Sequence, residues 1–170
     1  YNLNRFDEAI PLFEEAIAMD SSYAMAYYNR GRALEKTGAG DSAILADYTQ
    51  AIRFDSLMAL AWNSRGYVRW RRGDLDGTLE DCERTLSIDR NHPEAWHLRG
   101  VVRMSQKRYK EAVSDYDQAI RLNPDYAQAW YNRGVAKYYM GDGSGACADW
   151  QIASEKNYAS AVSVLKQLCR

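Results

Sequence analysis

The chain has 170 residues and a formal net charge of −1. That is long enough for one domain with a sizeable core and too neutral for a dedicated nucleic-acid binder. It contains no run of 18 apolar residues, which excludes a hydrophobic membrane-spanning helix, and its three Cys and two His fit neither a disulfide scaffold nor a zinc site, so no metal or cofactor is expected.

In chain order, residues 6–19 form one amphipathic helix with Ala9, Phe13 and Ala16 on its apolar face. No secretory leader precedes it, and a start at Tyr1 reads as that of an excised fragment. A motif then recurs: Ala, an aromatic residue, two more residues, Arg, Gly. It stands at Ala26, Tyr27, Arg30 and Gly31, then at Ala61, Trp62, Arg65 and Gly66. It returns at Ala95, Trp96, Arg99 and Gly100, and at Ala129, Trp130, Arg133 and Gly134. The Gly residues are 35, 34 and 34 positions apart. A period of that size means stacked supersecondary units rather than one irregular globule. The expected division is a partial unit at 1–23, full units at 24–58, 59–92, 93–126 and 127–160, and a capping helix over 161–170.

Each unit reads as two antiparallel helices. In the third, Ala95, Trp96, Val101, Val102 and Met104 mark the first helix, and Ala112, Val113, Tyr116, Ala119 and Ile120 the second. Asn123 and Pro124 end it, because Pro cannot continue a helix. Gly38, Gly73 and Gly141 mark inner turns. Gly100 faces Ala112, so the helices can approach closely while Trp96 and Tyr116 fill the wider part of the wedge. Thr78 and Cys82 replace the small and aromatic residues of the second unit, which is expected to pack less fully. The first unit is one residue longer around Ala39, Gly40 and Asp41, so its inner turn is expected to differ. Residues 159–169 form an extra helix with Leu168 where the period calls for Gly. An Asp also recurs, at Asp47, Asp81, Asp115 and Asp149. Symmetry about the turns sets each Asp beside an Arg, which favours a ladder of partly buried ion pairs over a charged ligand-binding row. Cys147 and Cys169 lie eleven residues either side of Tyr158, so antiparallel helices bring them level. They would form a disulfide in an oxidising compartment and pack as thiols in cytosol.

The pattern resembles the tetratricopeptide repeat family, whose Trp, Gly, Ala, Phe, Ala and Pro positions are matched best by Trp96, Gly100, Ala112, Tyr116, Ala119 and Pro124. The usual Leu before Gly is Arg in every unit, a departure that resembles a bacterial-looking subgroup with Asn-Arg-Gly in its first helix. The resemblance implies an all-α, right-handed superhelical solenoid of antiparallel helix pairs, with the first helices lining its concave face. It places there Tyr28 and Arg32, Asn63, Tyr67 and Trp70, His97, Val101 and Met104, and Tyr131, Val135 and Tyr138. Family members that clamp a peptide carboxylate carry Lys and Asn, then Lys and Arg two units later. The matching positions here hold Tyr28 and Arg32, then Glu94 and Leu98, so that clamp is not expected. The Ala, Cys, Ala, Asp, Trp run with a final Cys resembles the C-terminal repeats of some exported family members. It leans the localisation toward a bacterial periplasm, with cytoplasm as the alternative.

Nothing points to catalysis. His92 and His97 share no helix face, and Cys82 lies between Asp81 and Glu83, which disfavours a thiolate. The Gly-rich run from Gly141 to Gly145 has no preceding strand and no following Lys, so it reads as a turn whose Asp142 or Ser144 caps the next helix. The expected function is a non-catalytic scaffold binding a peptide or protein segment in the concave groove. The alternative is an oligomerisation module that self-associates through the uncovered half unit at 6–19. RNA binding and an enzyme are weaker readings.

Overall fold

The computed structural model describes residues 4–169, and within them every regular element is a helix. The chain divides into two compact units, Tyr1–Arg90 and Asn91–Arg170. The first holds α1 (Asn4–Met19), α2 (Ala24–Thr37), α3 (Asp41–Phe54), α4 (Ala59–Arg71) and α5 (Leu75–Ile88). The second holds α6 (Pro93–Ser105), α7 (Tyr109–Leu122), α8 (Ala127–Tyr139), α9 (Gly143–Glu155) and α10 (Ala159–Leu168). The helices pair in sequence as α2 with α3, α4 with α5, α6 with α7 and α8 with α9, while α1 packs on α2 and α10 on α9.

The recurrent Gly sets the closeness of these pairs. A Cβ added at Gly134 would stand 2.6 Å from the Trp150 ring, and one at Gly100 2.7 Å from Tyr116. Any side chain there would force the two helices apart, so the aromatic residue of the second helix lies flat over bare backbone. In the second pair Thr78 and Cys82 are fully buried, and the Thr78 hydroxyl donates to the Asp74 and Gly66 carbonyls at 2.6 and 3.3 Å. The smaller residues therefore leave that interface closed, with hydrogen bonding in part of the space an aromatic ring fills elsewhere.

The inner turns are left-handed at one residue. Gly38, Gly73 and Gly141 have φ of 78°, 80° and 87°, and Lys107 takes that place in the third pair with φ 60°. In the longer first turn Gly40 rather than an acid occupies the N-cap of α3. Asp74 and Asp142 cap α5 and α9 by accepting the backbone N–H of Gly77 and Gly145. Ser144 donates its hydroxyl to Asp142 instead of capping the helix itself.

α10 does not keep the register that the period implies. Ala119 and Ala129, buried together between α7 and α8, are ten residues apart, whereas Ala153 and Ala161, buried together between α9 and α10, are eight apart. The path between the paired Ala residues is thus two residues shorter, and it turns through Asn157 at φ 63°. Lys166, not Leu168, therefore stands where α8 has Gly134.

Cys147 of α9 and Cys169, the C-cap of α10, are joined by a disulfide with Cα atoms 5.7 Å apart. Cys82 is free of disulfide bonding and buried. Thiol titration of the unfolded, unreduced protein is expected to find one free thiol. A closed loop spanning 22 residues corresponds to about 3 kcal/mol on the chain-entropy model. Reduction should lower stability to denaturant by that order, while three free thiols in the unreduced protein would contradict the bond.

Candidate partner-binding faces

The repeated Arg is held inside the pairs rather than offered to a ligand. Arg30, Arg65, Arg99 and Arg133 each reach the Asp of their own second helix with a closest distance of 2.7 Å. Those Asp side chains are between 0% and 5% exposed. Each guanidinium also lies over the aromatic ring three residues earlier, at 5.7, 4.7, 4.6 and 4.6 Å from the centroids of Tyr27, Trp62, Trp96 and Trp130. The indole N–H of Trp62 and Trp130 donates in turn to the carbonyls of Ser56 and Pro124 in the preceding turn. One linked set of contacts thus fastens turn, first helix and second helix.

A second cation joins the set in three pairs, and sequence reasoning missed it. Arg69, Arg103 and Lys137 approach Asp81, Asp115 and Asp149 at 3.2, 2.7 and 2.9 Å. The signal was present as a basic residue three positions after Gly66, Gly100 and Gly134. Burial is still the larger influence at Asp81, whose carboxyl sits above its ordinary value despite the attraction of Arg65 and Arg69. Arg133 also bonds Asp117 of α7 at 2.6 Å, so the ladder continues between neighbouring pairs.

The positions assigned to the groove divide into three kinds. Tyr28 and His97 are 6% and 7% exposed and belong to the packing. Tyr28 lies against Tyr48, and His97 against Tyr116 and Tyr126. The Asn132 amide donates to His97 Nε2 at 2.9 Å, so Nδ1 holds the ring proton and donates it to the Tyr126 oxygen at 3.1 Å. Burial depresses the imidazole to about 4, leaving it neutral. The reason is size: these rings lie level with the aromatic residue of the second helix and close over it.

A second kind is shared between core and surface. Val101 and Met104 pack on Ala112, Tyr116 and Ala136. Tyr131 and Val135 pack on the cluster around Trp150, and Tyr131 also meets Tyr158 at 5.0 Å.

The third kind is open. In the first unit Arg32 is exposed, Tyr67 is 48% exposed and Trp70 is half-buried. The two rings lie 5.5 Å apart, with Arg71 at 5.9 Å from the Tyr67 centroid. Asn63 sits one helical turn before Tyr67, and its buried Oδ1 has no hydrogen-bond partner. In the second unit Tyr138 is 46% exposed and braced by Trp150 at 5.9 Å.

No group of three or more His, Cys, Asp and Glu side chains among the described residues could hold a metal ion. No helix among them is long and apolar enough to cross a membrane.

A sequence profile described as tetratricopeptide repeat matches residues 1–58, and one described as TPR repeat matches residues 102–141, together more than half of the chain. The chain belongs to the tetratricopeptide repeat family. Its curated relatives include Hsc70-interacting proteins 1 and 2 of Drosophila melanogaster, each 29% identical over 89 residues, which is 52% of this chain and 23% of theirs. The match thus spans about a quarter of those relatives. Among solved structures, MamA superposes with a TM-score of 0.80 at 18% identity, over 92% of this chain and 91% of its own. YrrB, described as a TPR protein with an unusual peptide-binding site, gives 0.78 at 22% identity, over 96% and 84%. The first TPR of Spaghetti (RPAP3), bound to the HSP90 peptide SRMEEVD, gives 0.67 at 20% identity, over 72% and 96%. At these identities the likeness shows the fold, an all-α tetratricopeptide-repeat solenoid.

Proposed function

We propose that this chain is a non-catalytic scaffold that binds a peptide or protein segment on the faces of its first helices, along the groove those helices line in the family. The carrying observation is the Asn63, Tyr67 and Trp70 patch. The Tyr67 ring stands open there against the half-buried ring of Trp70, with Asn63 one helical turn earlier on the same helix. Exposed, braced aromatic side chains bind at low entropy cost. Tyr138 supplies a comparable anchor in the second unit, and the peptide-binding description of YrrB is in keeping with this use of the fold.

A random twelve-residue peptide library selected on the immobilised protein should yield binders. Trp70→Ala combined with Tyr138→Ala should weaken them at least tenfold, with helicity by circular dichroism unchanged. Undiminished binding would move the site to the second helices or to α1.

The ligand is not expected to resemble the HSP90 peptide bound by RPAP3. Of the four positions that would grip a terminal carboxylate, Tyr28 and Leu98 are buried, Glu94 is an exposed acid, and Arg32 is a lone exposed cation without the second basic pair. The peptide SRMEEVD should show no saturable binding in calorimetry below millimolar concentration. A micromolar complex would contradict this reading.

A further inference from the structure

The inner turn of the third pair departs from its neighbours in charge. Counted back from Cys82 and Trp150, the second pair carries Gly73, Asp74 and Asp76, and the fourth Gly141, Asp142 and Ser144. Counted back from Tyr116, the same places in the third hold Lys107, Arg108 and Lys110. The first two changes do not help the fold. Lys107 stands at φ 60°, where L side chains are disfavoured. Arg108 gives α7 no side-chain cap, whereas Asp74 and Asp142 cap α5 and α9. Arg108 pairs with Glu111. Lys107 and Lys110 are exposed, and no carboxylate among the described residues pairs with them. Asp142, the acid of the fourth turn, is engaged by the Gly145 N–H and the Ser144 hydroxyl.

The same edge carries exposed rings. Tyr109 of α7 and Tyr139 of α8 stack with centroids 5.2 Å apart and planes within 11°. At the matching positions of α3 and α4, Asp41 and Arg71 close the edge with an ion pair at 2.7 Å. The stack leaves Tyr139 61% exposed, with Met140 beside it 44% exposed. These side chains, the three cations and Glu111 line an open hollow of about 420 Å³. Complete helix pairs, α6 with α7 and α8 with α9, stand on both sides of it. Its exposure therefore does not depend on where the chain begins or ends.

We propose that this edge binds an acidic segment of a partner protein that lays one aromatic side chain on Tyr139 and Met140. The ring covers apolar surface that the fold leaves bare, and flanking carboxylates meet Lys107 and Lys110. Charge complementarity selects an acidic occupant. Two free cations on a chain of net charge −1 are too few for a nucleic-acid backbone. The peptide SRMEEVD has no aromatic residue, so its expected failure to bind stands beside this proposal.

Three labelled heptapeptides test it by fluorescence anisotropy: DEDFEDE, the same peptide with a central Ala, and KRKFKRK. DEDFEDE should saturate the intact protein below millimolar concentration, and the other two should bind at least tenfold more weakly. Tyr139→Ala should weaken DEDFEDE at least tenfold. So should Lys107→Gly combined with Lys110→Ser, which restores the residues of the fourth turn and removes the left-handed Lys. Circular dichroism checks that both variants keep their fold. Trp70→Ala should leave the affinity unchanged, which separates this edge from the aromatic patch on α4. No saturable binding of DEDFEDE, undiminished binding by either variant, or equal binding of the Ala peptide would overturn the proposal. So would loss of binding on Trp70→Ala, which would move the peptide to that patch, or tighter binding of an oligothymidylate, which would assign the edge to nucleic acid. A concentration-dependent dimer lost on Tyr139→Ala would overturn it in favour of a second copy.

Discussion

Asp115→Ala is expected to cost about 3–5 kcal/mol of folding stability, the order observed when one partner of a buried ion pair is removed. Asp115 is almost fully buried and holds two cations, Arg99 and Arg103, each at 2.7 Å. Without it, two guanidinium groups face each other across a site with no countercharge, and the Arg99 stack on Trp96 has no anchor. The cost therefore comes from what is left behind, not from the value of the bond itself. Replacing Asp115, Arg99 and Arg103 together by apolar residues of similar size should restore most of the loss, because no charge is then stranded. Urea unfolding of the single and triple variants measures both. A single variant within about 0.5 kcal/mol of the parent would show that the ladder is solvated and carries little.

The second large effect is an acid-side loss of stability centred on His97. Burial lowers its imidazole from 6.5 to about 4, so the folded state keeps the ring neutral while the unfolded chain takes up a proton below pH 6.5. The stabilising contribution is complete above pH 6.5 and falls away as pH drops toward 4, by about 3 kcal/mol over that window. His97→Gln can retain a contact to Asn132 and removes the titration, so its stability curve should be flatter between pH 4 and 6.5. The comparison also separates the ring from Asp81, whose raised carboxyl acts in the opposite direction, favouring the folded state as pH falls. Parallel curves for parent and variant would place the acid sensitivity elsewhere.

Spacing alone disclosed much of the architecture. Gly, aromatic and Ala recur because close helix packing needs a small residue facing a large one, and that need returns once per pair. The Arg and Asp ladder followed from the same symmetry. Local chain length broke the symmetry at α10, where a path two residues shorter between the buried Ala residues put Lys166 in the Gly position. Periodicity also names a helix face without saying how much of it neighbouring rings cover. Tyr28 and His97 were assigned to the groove by position, yet both close over an aromatic of the second helix and are buried. Tyr67 and Tyr138 meet a neighbouring ring, Trp70 or Trp150, but neither closes over a second-helix aromatic in the way Tyr28 and His97 do, and they remain about half exposed. The free Asn63 oxygen had no counterpart in the sequence pattern, since an unsatisfied acceptor is a property of packing.

The most direct measurement is hydrogen–deuterium exchange and hydroxyl-radical footprinting of the protein with and without a selected peptide ligand. The expected result is protection of Tyr67, Trp70 and Tyr138, with slowed exchange in α4 and α8 and none in α3, α5 or α7. Protection confined to those second helices, with Tyr67 and Trp70 still fully reactive, would contradict binding on the first-helix faces.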